Sequence, residues 1–423
     1  MKKQILAGAI CLALVFTSLL PLSGCGTVAA LSSEDLMSGV TANQVSQDVA
    51  GADSPEDAAA VADFAARLFQ NSADGESNVL ISPISVLYAL ALTVNGAKGE
   101  TRAQMEQVLG LSTEELNKYL HAYLQTLPSD EKASLSLANA IWMKEDDRLS
   151  VQPAFLQTNA DWYGAGAYKA PFDDSTLKDI NHWVSDHTGG MIENILDNIP
   201  KDAVLYLVNA LAFDAEWADI YKEDQVRDGT FTTESGEQRD AEMMYGEEYR
   251  YLSDGMATGF LKYYAGDKYA FMAMLPNEGV TLSDYIDSLS GQGLQDILSG
   301  VQETKVRTMI PKFQSEYSVE MSDLLKAMGM TDAFDPDAAD FSGMATYTDG
   351  NICISRVLHK THIAVDERGT KAGAATVVEM VGETAMPAEE PKTVYLDRPF
   401  VYLLIDCEKG LPLFIGTMTD VGK

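Results

Sequence analysis

The 423-residue sequence is poor in basic residues relative to acidic ones. Thirty lysines and arginines stand against 63 aspartates and glutamates, which gives a formal charge of −33 at pH 7. No basic stripe is available to meet phosphate groups, and this excludes a nucleic-acid-binding protein. So large a negative charge favours solubility and cationic partners, but it says little about the fold.

The sequence also lacks motifs for catalysis and for metal binding. Its five histidines form no metal signature, and His359 and His362 lie three residues apart in a strand-like run, so we expect them on opposite faces. It contains neither a Cys-x-x-Cys motif nor a Gly-x-Ser-x-Gly nucleophile elbow. We therefore expect no cofactor and no enzymatic activity, and a surface enzyme of unrelated type is the weakest functional hypothesis.

Only four cysteines are present. Cys11 falls in an apolar N-terminal run and Cys25 follows that run, which leaves Cys353 and Cys407 for the folded part of the chain. Two cysteines provide no disulfide framework, although they could pair in an exported protein. We expect both to be free, buried thiols.

Residues 1–24 have the pattern of a targeting segment. Lys2 and Lys3 precede an apolar core at 5–20. The Leu-Ser-Gly-Cys sequence at 22–25 resembles a bacterial lipoprotein signal, in which Cys25 would be lipidated and become the mature N-terminus. A plain signal peptide and an uncleaved anchor helix of about 18 residues are the alternatives. The expected location is the bacterial membrane or cell surface, with the exported protein held by lipid.

The composition changes near residue 54. Residues 25–53 are rich in small residues and contain no aromatic residue after Cys25, and this predicts a flexible tether. A folded domain is predicted for 54–423, where Ser54 can cap a helix that begins with Pro55. With 46% hydrophobic residues, the chain is long enough to bury a large core.

The most informative stretch covers residues 366–399. Its second half carries two prolines and several glutamates, which suits a solvated loop. Its first half alternates with period two, and small or apolar side chains fall on one face of a strand: Thr370, Ala372, Ala374, Thr376, Val378 and Met380. Taken alone, the stretch fits a surface linker of small residues as well as it fits a half-buried strand.

Several motifs resemble those of the serpin family, in the family's order. Glu-x-Gly-Thr-x-Ala at 367–372 and Arg-Pro-Phe at 398–400 resemble the hinge and the far end of a serpin reactive-centre loop. The Ser-Pro block at 78–101 and Ala-Asn-x-x-Trp at 138–142 also match, and the resemblance covers roughly residues 54–420. It implies an α+β serpin fold with about nine helices around three β-sheets, an exposed reactive-centre loop and a monomeric state.

The resemblance also implies a function. In this family the exposed loop is bait for a serine protease, and after cleavage it inserts into the large sheet and carries the acylated protease with it. The expected protein is thus an irreversible suicide-substrate inhibitor of serine proteases, with cysteine proteases as a second target class. The alternative is a non-inhibitory serpin that acts as a carrier or chaperone. No proline lies between 367 and 386, where one would interrupt an inserted strand, and this favours the inhibitor.

Functional positions can be carried over where the residues match. Glu367 resembles the hinge glutamate that pairs with a lysine on a neighbouring strand, and Lys312 occupies the place of that lysine. Trp217 resembles the tryptophan at the top of the large sheet, although Asp214-Ala215-Glu216 replaces the usual Lys-Gly before it. The remaining matches are the polar cluster Ser82, Ser85, Asn209 and His359 under the central strands, and the hinge positions Gly369, Thr370, Ala372, Ala374, Ala375 and Thr376.

Counting along the loop predicts the cleaved bond. In the family the residue before the cut lies fourteen positions after the hinge glycine, and from Gly369 this gives Glu383–Thr384. An acidic residue there suggests a protease with a basic specificity pocket. The loop is long beyond this bond, so Met380, Val381 or Thr384 could serve as bait in another register, which would suit elastase-like or subtilisin-like proteases.

Overall fold

A computed structural model describes residues 31–43, 45, 54–127, 133–201, 203–348, 350–370 and 390–422. From Ser32 onward the described residues belong to one compact unit. Several predicted features lie outside the described residues: the targeting segment with Cys25, the hinge positions Ala372, Ala374, Ala375 and Thr376, and the proposed cleaved bond Glu383–Thr384.

The helices lie mostly in the first half of the chain. Ser54 caps the first helix as the sequence predicts, because its Oγ accepts the N–H of Asp57 at 3.0 Å. The second helix is buried along its whole length. Within the described ranges the α-helices are α1 (Pro55–Ser72), α2 (Pro83–Val94), α3 (Gly99–Leu109), α4 (Thr113–Leu124), α5 (Pro153–Tyr163), α6 (Asp174–His187), α7 (Leu282–Ser288), α8 (Gly291–Ser299) and α9 (Ser322–Ala327).

The strands supply most of the remaining structure. They are β1 (Glu34–Asp35), β2 (Val79–Ile81), β3 (Ala133–Lys144), β4 (Leu149–Val151), β5 (Gly166–Ala170), β6 (Leu205–Glu216), β7 (Val226–Thr232), β8 (Gln238–Glu248), β9 (Tyr251–Ser253), β10 (Ala257–Tyr263), β11 (Tyr269–Pro276), β12 (Val306–Pro311), β13 (Phe313–Glu320), β14 (Ala345–Tyr347), β15 (Arg356–Val365), β16 (Gly369–Thr370), β17 (Lys392–Tyr395), β18 (Phe400–Asp406) and β19 (Leu411–Met418).

Three large sheets organise these strands. A seven-stranded sheet has the order β1-β5-β3-β6-β16-β15-β13, a six-stranded sheet the order β2-β19-β18-β11-β10-β9, and a four-stranded sheet the order β17-β12-β8-β7. A two-stranded ribbon joins β14 to β4. Strands β11, β18 and β19 are buried on both faces and form the centre of the core. The prediction of an α+β fold with three sheets is confirmed.

The long central strands of the seven-stranded sheet position the candidate site. β3 and β6 pair antiparallel over eleven residue pairs, from Ala133–Ala215 to Met143–Leu205. β6 and β15 run parallel and pair directly only in their first halves, from Tyr206–Arg356 to Leu211–Thr361. Above this zone the two strands separate, and β16 lies between them.

Residues 31–43 belong to the segment that the sequence predicts as a flexible tether, yet in the structure they dock on the domain. Glu34 and Asp35 of β1 pair with β5 at the edge of the seven-stranded sheet. Asp179 on α6 accepts hydrogen bonds from Ser32 Oγ at 2.7 Å and from the N–H and Oγ of Ser33 at 2.8 and 2.6 Å. Backbone pairing and the carboxylates of Asp179 and Asp161 hold these residues without a hydrophobic stripe.

Smaller expectations from the sequence can also be compared with the structure. Cys353 and Cys407 are free thiols, as expected, but each is only partly buried. His359 is buried and His362 is partly exposed, in line with opposite faces of one strand. In the described part of the chain, no helix combines the length and the apolar character needed to cross a membrane.

Candidate functional site

The first two residues of the long loop already occupy the gap in the seven-stranded sheet. Gly369 pairs with Glu216 and Thr370 with Ala215 on β6, while Thr370 also pairs with Val365 on β15. Both pairings are antiparallel. The chain thus enters between two strands that run parallel to each other, in the orientation that a longer inserted strand would need.

Thr370 is fully buried at this entrance. Its hydroxyl lies 2.6 Å from the hydroxyl of Tyr264, which follows β10 and is itself fully buried. Burial raises the pKa of Tyr264 well above its usual range, so its hydroxyl stays protonated and can share the hydrogen bond. A side chain larger than threonine would have to displace this tyrosine.

Gly369 is fixed by the close approach of the neighbouring strand. A Cβ atom at this position would lie 2.1 Å from the carbonyl oxygen of Ala215, which is far inside van der Waals contact. Only glycine therefore allows the chain to turn into the gap at this depth.

Trp217 holds the segment before the entrance. Its backbone N–H donates to the carbonyl of Arg368 at 2.8 Å, and its indole Nε1–H donates to the carbonyl of Asp366 at 2.9 Å. The indole stacks on the ring of Tyr264 with centroids 4.4 Å apart and planes 15° apart. Asp214-Ala215-Glu216 stands where the family usually has Lys-Gly, but this difference does not disturb the arrangement. Strand β6 continues to Glu216, and Trp217 then forms a β-bridge with Tyr264.

Lys312 and Glu367 form an ion pair beside the entrance, with Nζ and Oε2 2.8 Å apart. Lys312 also lies 3.4 Å from Glu242, so it is shared by two carboxylates. The hydrogen bond from Lys312 holds the pKa of Glu367 below its usual range. The side chain of Glu367 is 39% exposed, and water screens the attraction, so this pair contributes little to stability.

A second polar cluster lies deeper in the sheet, where β6 and β15 still pair. Nε2 of His359 accepts the backbone N–H of Ser82 at 3.0 Å, and Nδ1 lies 2.6 Å from Oδ1 of Asn209. Because Ser82 N–H can only donate, Nδ1 must carry the proton and donate to Asn209. His359 therefore bonds the neighbouring strand on one side and the start of α2 on the other.

Burial keeps His359 neutral. It lowers the pKa of this imidazole from 6.5 to about 3. A second proton, on Nε2, would point a donor at the N–H of Ser82 and break that hydrogen bond. The cluster is thus intact only while the imidazole is neutral.

Some polar atoms of this cluster find no partner within the described residues. They are Ser85 Oγ, Asn209 Nδ2 and Oδ1 of Asn139, which lies opposite Asn209 on β3. A buried polar group without a partner costs about 1–3 kcal/mol. The cluster therefore combines the hydrogen bonds from Ser82 through His359 to Asn209 with unsatisfied polar atoms on α2, β6 and β3.

The structure brings the predicted residues into two groups on one sheet. Lys312, Trp217, Glu367, Gly369 and Thr370 meet at the entrance, and Ser82, Ser85, Asn209 and His359 meet deeper along the same strands.

Sequence reasoning missed Tyr264, Asn139 and Thr361, whose Oγ1 donates to the carbonyl of Leu80 at 2.6 Å. Asn139 could have been found from its motif, because β3 pairs with β6. Tyr264 has no signal in the sequence, since it meets Thr370 across 106 residues.

Known proteins resemble this chain in sequence and in fold. Residues 59–421 match the family described as Serpin (serine protease inhibitor). The chain is 31% identical over 368 residues to an uncharacterized serpin-like protein of Thermococcus kodakarensis, covering 85% of each chain. It is 31% identical over 358 residues to human Serpin B9, covering 81% of this chain and 93% of that protein.

Solved structures show the same fold. The native state of the thermophilic serpin tengpin matches with a TM-score of 0.86 and 46% identity, covering 92% of this chain and 99% of that chain. The latent state of tengpin matches with a TM-score of 0.77 and 43% identity, covering 87% and 98%. The match spans nearly the whole folded unit, and the chain belongs to the serpin family.

Proposed function

We propose that this protein is an irreversible suicide-substrate inhibitor of serine proteases. Members of its family are generally protease inhibitors without enzymatic activity of their own. One observation carries the proposal most directly: Gly369 and Thr370 already lie between β6 and β15, while the two strands remain paired below. The loop that follows would serve as bait, and its cleavage would allow it to insert between β6 and β15.

The pairing at the entrance defines where later loop residues would go. Each step along the loop moves one residue back along both β6 and β15, starting from Thr370 opposite Ala215 and Val365. Six steps bring Thr376 opposite Asn209 on one side and opposite His359 on the other. Full insertion would thus separate Asn209 from His359 and place the hydroxyl of Thr376 between them.

Insertion exchanges one strand pairing for two. The parallel pairing of β6 with β15 would break, together with the 2.6 Å hydrogen bond between Asn209 and His359. In return the new strand would form an antiparallel ladder with each neighbour, and antiparallel pairing is slightly more stable per residue. The uncut protein is then a kinetically trapped state whose relaxation can do mechanical work.

That relaxation would disable a protease bound covalently to the bait. If the cut follows Glu383, residues 371–383 would insert after Thr370, about 13 residues at ~3.3 Å each, and would move the captured protease by on the order of 43 Å. Glu383–Thr384 is the bond proposed by counting from Gly369, with Met380, Val381 and Thr384 as other bait residues. The proposed targets are serine proteases of glutamate-specific, elastase-like or subtilisin-like type, with cysteine proteases as a second class.

We also propose that the protein is exported and anchored by lipid on Cys25. Residues 31–43 dock on the domain, so any free spacer between the lipid and the domain would be short. Replacing Cys25 with serine should move the protein from the membrane fraction to the soluble fraction. Membrane retention of Cys25→Ser would overturn the anchor and leave the inhibitory function untouched.

Incubation with elastase and with a glutamate-specific protease tests the inhibitory function. An inhibitor should give a band at the summed mass that survives denaturing electrophoresis, because the acyl bond to the bait persists. Cleavage without that band would favour the alternative of a non-inhibitory carrier or chaperone. Mass spectrometry of the cleaved loop would identify the bait residue.

A further inference from the structure

Two large hydrophobic side chains stand out on the surface. Among the residues that the structure describes, Ile220 and Tyr249 are the large hydrophobics that remain exposed, at 37% and 54% of their full accessible area. Single exposed apolar residues need no explanation, but these two occur on adjoining turns beside one cleft. Ile220 follows β6, and Tyr249 lies between β8 and β9.

The turn that carries Ile220 is held at three points. Ala218 N–H donates to the carbonyl of Tyr263 at 3.0 Å, and Tyr221 N–H donates to the carbonyl of Glu367 at 2.9 Å. Between them, the carbonyl of Asp219 accepts a hydrogen bond from Nζ of Lys262 at 3.0 Å. Ile220 is thus held out into solvent on a turn that is fixed on both sides.

The same buried lysine connects the two turns. Lys262 Nζ donates to Glu248 Oε1 at 2.9 Å, next to Tyr249, and lies 4.5 Å from the ring centre of Tyr221. Burial raises the pKa of Glu248, while the ammonium of Lys262 opposes that shift. One ammonium therefore links the turn that carries Ile220 to the residue that precedes Tyr249.

A cleft of about 500 Å³ lies between the turns, and its walls are acidic. Asp219, Glu248, Asp267 and Glu408 line it, together with Lys262 and Arg250. Both basic residues are engaged in ion pairs, Lys262 with Glu248 and Arg250 with Glu303 at 3.2 Å. We call this cleft the acidic cleft; Tyr249 lines it, and Ile220 follows the lining residue Asp219 in the chain.

The acidic cleft lies next to both ends of the bait loop. On the departing side, Tyr221 bonds Glu367 directly. After the loop, Lys392 begins β17 and pairs with Val306 of β12, and Val306 pairs on its other side with Glu248 of β8. Lys392 Nζ also lies 5.6 Å from the ring centre of Tyr251. A protease that grips the loop would therefore be brought over this surface.

We infer that the acidic cleft is a second contact site for the target protease, and that it fits a protease with a basic, partly apolar surface near its active site. The inference rests on the proposed inhibitory function. Tyr249 and Ile220 would supply the apolar anchors, since aromatic residues are enriched where interfaces bury surface. The carboxylates would steer a cationic partner before the loop is cut, and such steering raises the association rate more than it slows dissociation.

The test measures the second-order rate constant for covalent complex formation with leukocyte elastase, used as a cationic probe. Tyr249→Ala and Ile220→Ala should each slow the reaction at least about fivefold in low salt. Asp219→Lys should slow it as well and should weaken the dependence of the rate on salt. Asp323→Lys is the matched control, because it makes the same charge change at a 94% exposed carboxylate on α9, and it should leave the rate near the wild-type value.

Each outcome has one meaning. If wild-type protein forms the complex and the cleft variants form it at the same rate as Asp323→Lys, the second contact site is wrong and the inhibitory function stands. If wild-type protein forms a covalent complex neither with elastase nor with a glutamate-specific protease, the inhibitory function fails first. Unchanged thermal unfolding of the variants would show that a slower rate does not come from misfolding.

Discussion

The hydroxyl groups of Thr370 and Tyr264 lie 2.6 Å apart, both fully buried beneath the stacked ring of Trp217. This contact joins Thr370, the second residue of β16, to the residue that directly follows β10. It shows that the entrance to the sheet is shaped around a small side chain with one hydroxyl.

Thr370→Arg should convert the protein from inhibitor to substrate. A guanidinium at this buried position would lose its hydration without an acidic partner, so the loop would stay outside the sheet long enough for the protease to be released. Thr370→Ser, which keeps the hydroxyl and fits the space, should still inhibit. Denaturing electrophoresis with elastase measures the ratio of complex to cleaved protein, and a full yield of complex from Thr370→Arg would refute strand insertion.

His359 should make the native protein sensitive to acid. Burial lowers the pKa of its imidazole to about 3, so between pH 6.5 and 3 the unfolded chain binds a proton that the folded chain does not. The stability that depends on a neutral His359 is therefore fully present above about pH 6.5, and it decreases as the pH falls towards 3. From this group alone, native stability should be about 2 kcal/mol lower at pH 5 than at pH 7.

His359→Gln provides the comparison, since the carboxylates titrate alike in both proteins. Its urea midpoint should fall less between pH 7 and pH 5 than that of the wild type. Equal falls in the two proteins would show that this histidine is not the acid-sensitive group.

The ion pair between Lys312 and Glu367 should matter little. Both side chains are partly exposed, and a double-mutant cycle with Lys312→Met and Glu367→Gln should give a coupling below about 1 kcal/mol. The pKa of Glu367 is lowered, so whatever stability the pair adds is present at neutral pH and is lost as the pH falls through that lowered pKa. A coupling of several kcal/mol would mean that the pair itself latches the hinge.

Asp179 should control the docking of residues 31–43. Asp179→Ala removes the acceptor for three hydrogen bonds from Ser32 and Ser33, which should cost about 1–3 kcal/mol and expose the segment to proteases. Asp161→Ala is a milder control, because its contact with Asn43 is exposed to water. Limited proteolysis followed by mass spectrometry would show whether the segment is released, and an intact segment in Asp179→Ala would contradict this account.

How far the sequence predicted the site depended on the kind of contact. Glu367, Lys312, Asn209 and His359 could be grouped because a family resemblance supplied contacts between distant strands. Tyr264 could not be predicted, because neither hydrophobic periodicity nor composition indicates a contact with Thr370, which is 106 residues away in the chain. The docking of residues 32–43 was missed for a related reason: an edge strand and its flanking residues, held by backbone pairing and two carboxylates, need no hydrophobic pattern.

Cleavage within the loop should stabilise the protein. If the cut loop adds a strand with two new ladders, the unfolding temperature should rise by at least about 10 °C, the shift that ~5 kcal/mol gives at roughly 2 °C per kcal/mol. Scanning calorimetry of intact and nicked protein measures this. An unfolding temperature that stays the same after the cut would argue against a strained native state.

Hydrogen exchange of residues 371–380 before and after cleavage tests the central claim most directly. The account predicts that this peptide becomes strongly protected once the loop is cut, because its N–H groups join the ladders of β6 and β15 with Thr376 between Asn209 and His359. Fast exchange of the cut peptide, with β6 and β15 protected as before, would contradict it.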